Sequence, residues 1–234
     1  MPAPRAVPPC RSVPGFNAII LAGGRSSRLG GTPKALFRSS GRTLLDITLT
    51  AAAAASTVAV AGPESLAAAL GDAGAGALLV REDPPFSGPA AGVAAAWAAL
   101  AAHDAAHRRI PPEWTLVLAC DMPFVSAAVT ALLAAAGSDG SAGPAAPGRP
   151  VRSLLAVDGS GRAQPLAALY RSADLRDAVE QYDRPAGLEN LSMKRLLARV
   201  QWRDVAVPAH STADVDTWDD ARRWSVEPGP PQDR

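Results

Sequence analysis

The sequence predicts a layered α/β fold in which helices cover both faces of a mostly parallel sheet. Three observations predict it. Seven short apolar runs alternate with longer, alanine-rich segments that favour helix; the runs lack the apolar/polar alternation of a half-exposed strand; and 234 residues suffice for one substantial core. In chain order, "NAIILA" (17–22) opens the pattern and a helix is expected over 43–55. "TVAVAG" (57–62), a helix over 64–70 and "ALLVRED" (77–83) follow, then a helix over 91–107 and "WTLVLACD" (114–121). Beyond a helix at 126–136 come "RSLLAVD" (152–158) and "QPLAALY" (164–170). Helices over 172–182 and 192–199, "RDVAVP" (203–208) and a helix over 218–224 complete the set. Runs that are apolar on both faces suit strands buried from both sides, and the helical segments supply the cover.

Three stretches stand outside this pattern. Residues 1–15 and 225–234 are rich in proline and polar groups, which bury too little apolar surface to offset ordering entropy, so both are expected to be mobile around a domain spanning 16–224. "GSDGSAGPAAPGRP" (137–150) reads as a flexible loop between a helix and the next strand.

Composition excludes several functions. With 23 basic and 22 acidic residues the net charge is +1, so no field of one sign exists to draw nucleic acid or an anionic membrane from a distance. Any anion must be met locally. Cys10 and Cys120 are the only cysteines, which argues against a disulfide framework and for a reducing, cytoplasmic setting. The leader lacks the apolar region of a secretory signal, and no segment reads as a membrane span. His103 and His107 are four apart on a helix without a third ligand, and the five tryptophans are too scattered to form a nucleic-acid stacking platform.

The most informative stretch is "AIILAGGRSSRLGGTPKALF" (18–37). In a layered α/β fold, ligands gather beyond the carboxyl ends of the strands, where strand turns into helix. After Leu21 and Ala22, Gly23 and Gly24 let the backbone turn sharply and approach a ligand, so that exposed amides can face phosphate oxygens. Arg28 and Lys34 then supply charge-assisted contacts, one as a planar fork and the other as a mobile point charge. Two commoner phosphate motifs fail: position 25 is Arg where a dinucleotide fingerprint needs Gly, and Lys34 lies between Pro33 and Ala35 where a P-loop needs Gly-Lys-Ser/Thr.

Two acidic positions bear on this loop. Asp121 ends an apolar run, and a carboxylate at the tip of a buried strand beside a phosphate loop is well placed to hold Mg²⁺; capping of the helix that begins at 126 is the structural alternative. Further on, Thr217 with Asp220 three residues later resembles a capping box. Counting from Asp214, the calcium-loop pattern fails at Asp219 and Ser225.

"LAGGRSSRLGGTPKAL" resembles the LAGG-x-x-x-R-[ML]-G-x-x-x-K-x-L loop of the nucleotidyltransferases, and most closely that of the molybdenum cofactor guanylyltransferases. The resemblance continues, in the family's order, through "REDPPFSGPAAGV" (81–93), "VLACDMPFV" (117–125), "QPLAALY" (164–170), "LSMKRLL" (191–197) and "DVDTWDDARRW" (214–224). It implies a single Rossmann-like domain and a nucleotide seated on Leu21, Ala22, Gly23 and Gly24, with Arg28, Lys34 and Asp121 as the catalytic set. It further implies that the turn at Gly88, Pro89 and Gly92 packs over the nucleotide sugar and base, that Asp83 accepts from the guanine ring, and that Asp216 joins Asp121 at the Mg²⁺.

The implied reaction is transfer of GMP from GTP to the terminal phosphate of a molybdopterin-type acceptor, with pyrophosphate leaving and with transient contact with molybdoenzymes downstream. A phosphate monoester is largely dianionic at neutral pH, so no general base is required. The Gly-Gly pair and the six-residue step from Arg28 to Lys34 look like the guanylyltransferase form, whereas cytidylyltransferases for the same cofactor tend toward Ala-Gly and a shorter step. A cytidylyltransferase, a transferase for another phosphate acceptor such as a sugar phosphate or phospholactate, and a non-catalytic nucleotide-binding protein are the alternative readings.

Overall fold

The computed structural model describes residues 14–24, 29, 33–140, 152–182 and 185–229. Strand β1 (Phe16–Leu21) runs into the glycine pair, and beyond it a turn at Lys34–Leu36 leads to a hairpin of β2 (Arg38–Ser39) and β3 (Arg42–Thr43). Helix α1 (Leu44–Ala51) follows, then β4 (Val58–Ala61), β5 (Leu78–Val80), α2 (Pro89–Ala106) and β6 (Trp114–Ala119). Next come α3 (Val125–Gly140), β7 (Ser153–Val157), β8 (Ala163–Arg171), α4 (Ser172–Glu180) and α5 (Met193–Leu196). Strand β9 (Trp202–Ala206), helix α6 (Trp218–Arg223) and strand β10 (Val226–Glu227) complete the described chain.

All seven apolar runs become strands of one sheet, ordered β5-β4-β1-β6-β8-β7-β9. Four of its six pairings are parallel, as expected. Strand β8 is the exception, antiparallel to both β6 and β7. The cause lies in the connection. Between β7 and β8 the chain turns over 158–162, where Asp158 Oδ1 accepts from Ser160 N at 2.8 Å and Gly161 adopts φ +78°. So short a turn can join only antiparallel neighbours, because a parallel pair needs a crossover.

The sheet is buried on both faces. Along β1, Ala18 and Ile20 point to a core shared with Leu45 and Leu49 of α1 and Val129 and Leu132 of α3. Ile19, between them, faces the opposite core with Val93 and Leu100 of α2, Leu175 of α4 and Leu196 of α5. The strands read as unbroken apolar runs because successive side chains enter two different cores.

Local differences from the sequence reading have identifiable reasons. Residues 64–69 form a 3-10 helix rather than an α-helix, and the helix expected over 192–199 shortens to α5, started by Ser192 Oγ accepting from Arg195 N. Helix α3 continues four residues into the segment expected as a loop from 137; residues 141–150 lie outside the described ones. The tail expected to be mobile from 225 is ordered through Gly229, because Val226 buries its side chain beside Phe37, Leu44 and Val215 while β10 pairs with β2. Among the described residues no helix is long and apolar enough to cross a membrane.

Candidate active site

The parallel register of β1 and β6 builds the site. Leu21 lies opposite Ala119, so the loop after β1 and the tip of β6 emerge side by side; Cys120 N donates to the Leu21 carbonyl at 3.0 Å and Ala22 N to that of Ala61 at 2.8 Å. A cavity of about 520 Å³ opens there. Leu21, Ala22, Gly23 and Gly24 line its first wall. Gly24 has φ +152°, a backbone state that residues with a Cβ seldom adopt, although the space around it is open.

The N-terminus of α2 supplies the second wall through Gly88, Pro89 and Gly92. Gly88 caps the helix at φ +92° with Pro89 in its first turn, and an ideal Cβ on Gly92 would stand 3.2 Å from Leu21 Cδ2. Helix and loop therefore pack closely, and the helix directs its positive end toward the cavity.

At the mouth, three charged side chains meet. Lys34 Nζ donates to Asp121 Oδ2 at 3.2 Å and also to Asp216 Oδ1. Lys34 opens the turn whose next residues, Ala35, Leu36 and Phe37, are buried, so the lysine is fixed by the core below it. Asp121 extends from β6, and its carbonyl accepts from Val215 N at 3.0 Å, which ties the 214–216 segment to the strand tip. Asp216 is set from the other side. The capping box of α6 is present, and Asp220 Oδ2 accepts from Thr217 N at 2.8 Å and from Asp216 N at 3.2 Å.

The electrostatics follow from this placement. Burial pushes the Asp121 carboxyl above the usual carboxylate range; Lys34 offsets that only in part, and Asp214 and Asp216 add like charge. Burial alone would lower the Lys34 ammonium, but Asp121 and Asp216 together outweigh it and hold its pKa above the ordinary lysine value. Cys120 is buried, and both burial and Asp121 raise its thiol, so it lines the cavity as a neutral group. Tyr170, likewise buried, has its hydroxyl donated to the Pro165 carbonyl at 2.8 Å and belongs to the core.

Asp121 and Asp216 bring carboxylate oxygens, the donors an oxygen-seeking divalent ion takes, to one point, which the Lys34 ammonium occupies. Among the described residues no group of three or more His, Cys, Asp or Glu is arranged to hold a metal. A two-carboxylate set suits Mg²⁺, which takes one or two carboxylates and completes its shell with water and substrate phosphate.

Of the residues expected from sequence, Lys34, Asp121, Asp216, the 21–24 loop and Gly88, Pro89 and Gly92 come together around this one cavity. Arg28 lies outside the described residues. Asp83 is exposed and stands outside the cavity lining; its neighbour Glu82 lines the cavity instead, with Oε1 accepting from Phe86 N at 2.9 Å. Leu29, Ala61 and Leu166 also line it and were not legible as site residues. Leu166 falls within "QPLAALY", where an apolar strand residue carries no chemical signal of its own.

Residues 18–212 match the family model described as the MobA-like NTP transferase domain. The molybdenum cofactor guanylyltransferase of Rhodopseudomonas palustris (strain HaA2) is 33% identical over 177 residues, covering 71% of this chain and 74% of that protein. Among solved structures, molybdopterin-guanine dinucleotide biosynthesis protein A from Archaeoglobus fulgidus has the same fold, with a TM-score of 0.60, 20% identity, and 89% of this chain and 96% of that one covered. A Mycobacterium tuberculosis H37Rv protein solved in complex with manganese superposes with a TM-score of 0.56 at 19% identity, covering 90% and 97% of the respective chains.

Proposed function

Because this chain belongs to the family of MobA-like NTP transferases, we propose that it transfers GMP from GTP to the terminal phosphate of the molybdopterin-bound molybdenum cofactor, releasing pyrophosphate in a Mg²⁺-dependent reaction. The observation that carries the reading is the junction of Lys34, Asp121 and Asp216 at the mouth of a cavity walled by the β1 loop and the α2 N-terminus. The relative from Rhodopseudomonas palustris is named a molybdenum cofactor guanylyltransferase.

The chain's own residues divide the work as follows. Backbone amides of the 22–24 loop and the positive end of α2 receive the triphosphate. Lys34 meets the negative charge that grows as the acceptor oxygen bonds to the α-phosphorus and the bond to the departing pyrophosphate breaks. Arg28 supplies a second cation on the same loop. Asp121 and Asp216 would hold a divalent ion, which would supply Lewis-acid neutralisation of the phosphates. No proton need be abstracted, because a phosphate monoester is already largely dianionic at neutral pH, and catalysis rests on positioning and charge compensation.

Base choice is assigned to Glu82. A carboxylate pairs with the adjacent N1–H and N2–H donors of guanine, whereas cytosine sets an acceptor beside its single donor. Glu82→Gln is expected to lower the preference for GTP over CTP by about tenfold, the cost of about one charge-assisted hydrogen bond, while Asp83→Asn leaves the preference unchanged. Pyrophosphate release measured with each nucleotide checks both.

The direct test combines purified protein, molybdenum-bound molybdopterin and each of GTP, CTP and ATP, with and without Mg²⁺. GTP with Mg²⁺ is expected to yield pyrophosphate stoichiometric with acceptor consumed. Pyrophosphate release from CTP or ATP alone would contradict the base assignment, and undiminished release without divalent ion would contradict the metal.

A further inference from the structure

Phe86 stands apart from the other residues that line the nucleotide cavity. It lies in the connection from β5 to α2, between Glu82 and the Gly88 cap, and it is 45% exposed although the neighbouring Ser87 is buried. Its backbone has φ +67°, an outlier for a bulky residue with a Cβ, and such states persist only where the surroundings over-determine them. Here they do. Phe86 N donates to Glu82 Oε1 at 2.9 Å, Ser87 Oγ to the Pro84 carbonyl at 2.6 Å, and Asn190 N to the Ser87 carbonyl at 2.7 Å. The Arg81 guanidinium packs over the ring, 5.2 Å from its centroid, and steadies the side chain as these bonds steady the loop.

Core packing does not account for this arrangement. Folding gains little from an aromatic residue that stays nearly half exposed in a strained backbone state, whereas strain of this kind collects at ligand sites. The elements around the cavity also differ in what they offer a nucleotide. The β1 loop brings glycine amides and the mouth brings the Lys34 ammonium, both suited to phosphate; the β5–α2 connection brings instead a carboxylate, Glu82, and the Phe86 ring. A carboxylate repels phosphate. Beside an aromatic ring it fits a planar group that carries N–H donors on its edge and a π-face on its side, which is the chemistry of a purine base.

We propose that Phe86 is the stacking platform for the nucleobase, its ring lying against the face of the guanine whose donor edge pairs with Glu82. The inference deepens the guanylyl-transfer reading above and rests on it. Phe86 is a binding residue that acts on the nucleoside half of GTP; the groups that receive the phosphates do not depend on its ring.

Calorimetric titration of the full chain with GTP and, separately, with inorganic pyrophosphate tests the two halves of the ligand apart from turnover. Phe86→Ala is expected to weaken GTP binding about tenfold, the scale of one lost base–aromatic stack, with pyrophosphate bound as by wild type; Phe86→Tyr, which keeps the ring, is expected to retain GTP affinity. Phe86→Gly adopts φ +67° without strain and so keeps the loop in place without the ring. It is expected to weaken GTP as much as Phe86→Ala does while unfolding at a higher temperature than that variant. GTP bound by the Ala and Gly variants as tightly as by wild type would overturn the proposal, and so would an equal loss of pyrophosphate binding, which would make Phe86 a support of the loop. Either result leaves the guanylyl-transfer reading standing if wild type releases pyrophosphate from GTP and molybdenum-bound molybdopterin. The expected binding pattern in a protein that releases none would support the platform and remove that reading.

Discussion

Asp121→Ala is expected to lower kcat for pyrophosphate release by about 10³ or more, a loss on the scale of removing a preorganised transition-state charge contact. Its fold is expected to survive. The sign follows from the carboxyl's position: burial sets its pKa above the unfolded value near 3.8 despite the Lys34 ammonium 3.2 Å away. A carboxyl raised in this way contributes most below its unfolded pKa, and that contribution is lost as pH rises through the folded value. Above that folded value the charged Asp121 is therefore a burden on stability. Asp121→Asn should accordingly keep or raise Tm while losing turnover, and thermal unfolding beside a pyrophosphate assay measures both. A variant that unfolds several degrees earlier would show that Asp121 is a structural anchor.

The second large effect is at Lys34. On the proposed role of its ammonium toward charge developing during transfer, Lys34→Ala is expected to reduce kcat/KM for GTP by about 10² to 10³, with most of the loss in kcat. Lys34→Arg should restore only part of it, since a planar fork cannot reproduce a point charge seated between two carboxylates. The pH profile supplies an independent signature. Lys34 is the group that partly offsets the burial of Asp121, so its removal shifts the acid limb of activity to higher pH. Lysine titration does not intervene near neutrality: its raised pKa means that its contribution is complete below about 10.5 and fades only as pH climbs through the folded value.

What the sequence disclosed followed from how each residue signals its place. Strands buried on both faces leave unbroken apolar runs, so all seven were legible from Phe16 to Ala206, and the Thr217/Asp220 cap was legible from spacing alone. The reversal of β8 depends on the 158–162 turn, whose Asp, Gly and Ser residues mark a turn without stating which strands it pairs. Lys34, Asp121 and the glycines were legible because charge and backbone freedom are costly unless used. The distinction between Glu82 and Asp83 was not, because two adjacent carboxylates differ only in which way the chain faces as it leaves β5. Likewise the order of Val226 depends on a partner, the β2 hairpin, nearly 190 residues away in the chain.

The central claim is that one triphosphate cavity and one divalent-ion position share the Lys34, Asp121 and Asp216 junction. Electron paramagnetic titration of Mn²⁺ in the presence of GTP tests it most directly. Wild type is predicted to bind one nucleotide-dependent ion, and Asp121→Asn to lose it while remaining folded. Equal Mn²⁺ binding by both proteins would contradict the claim.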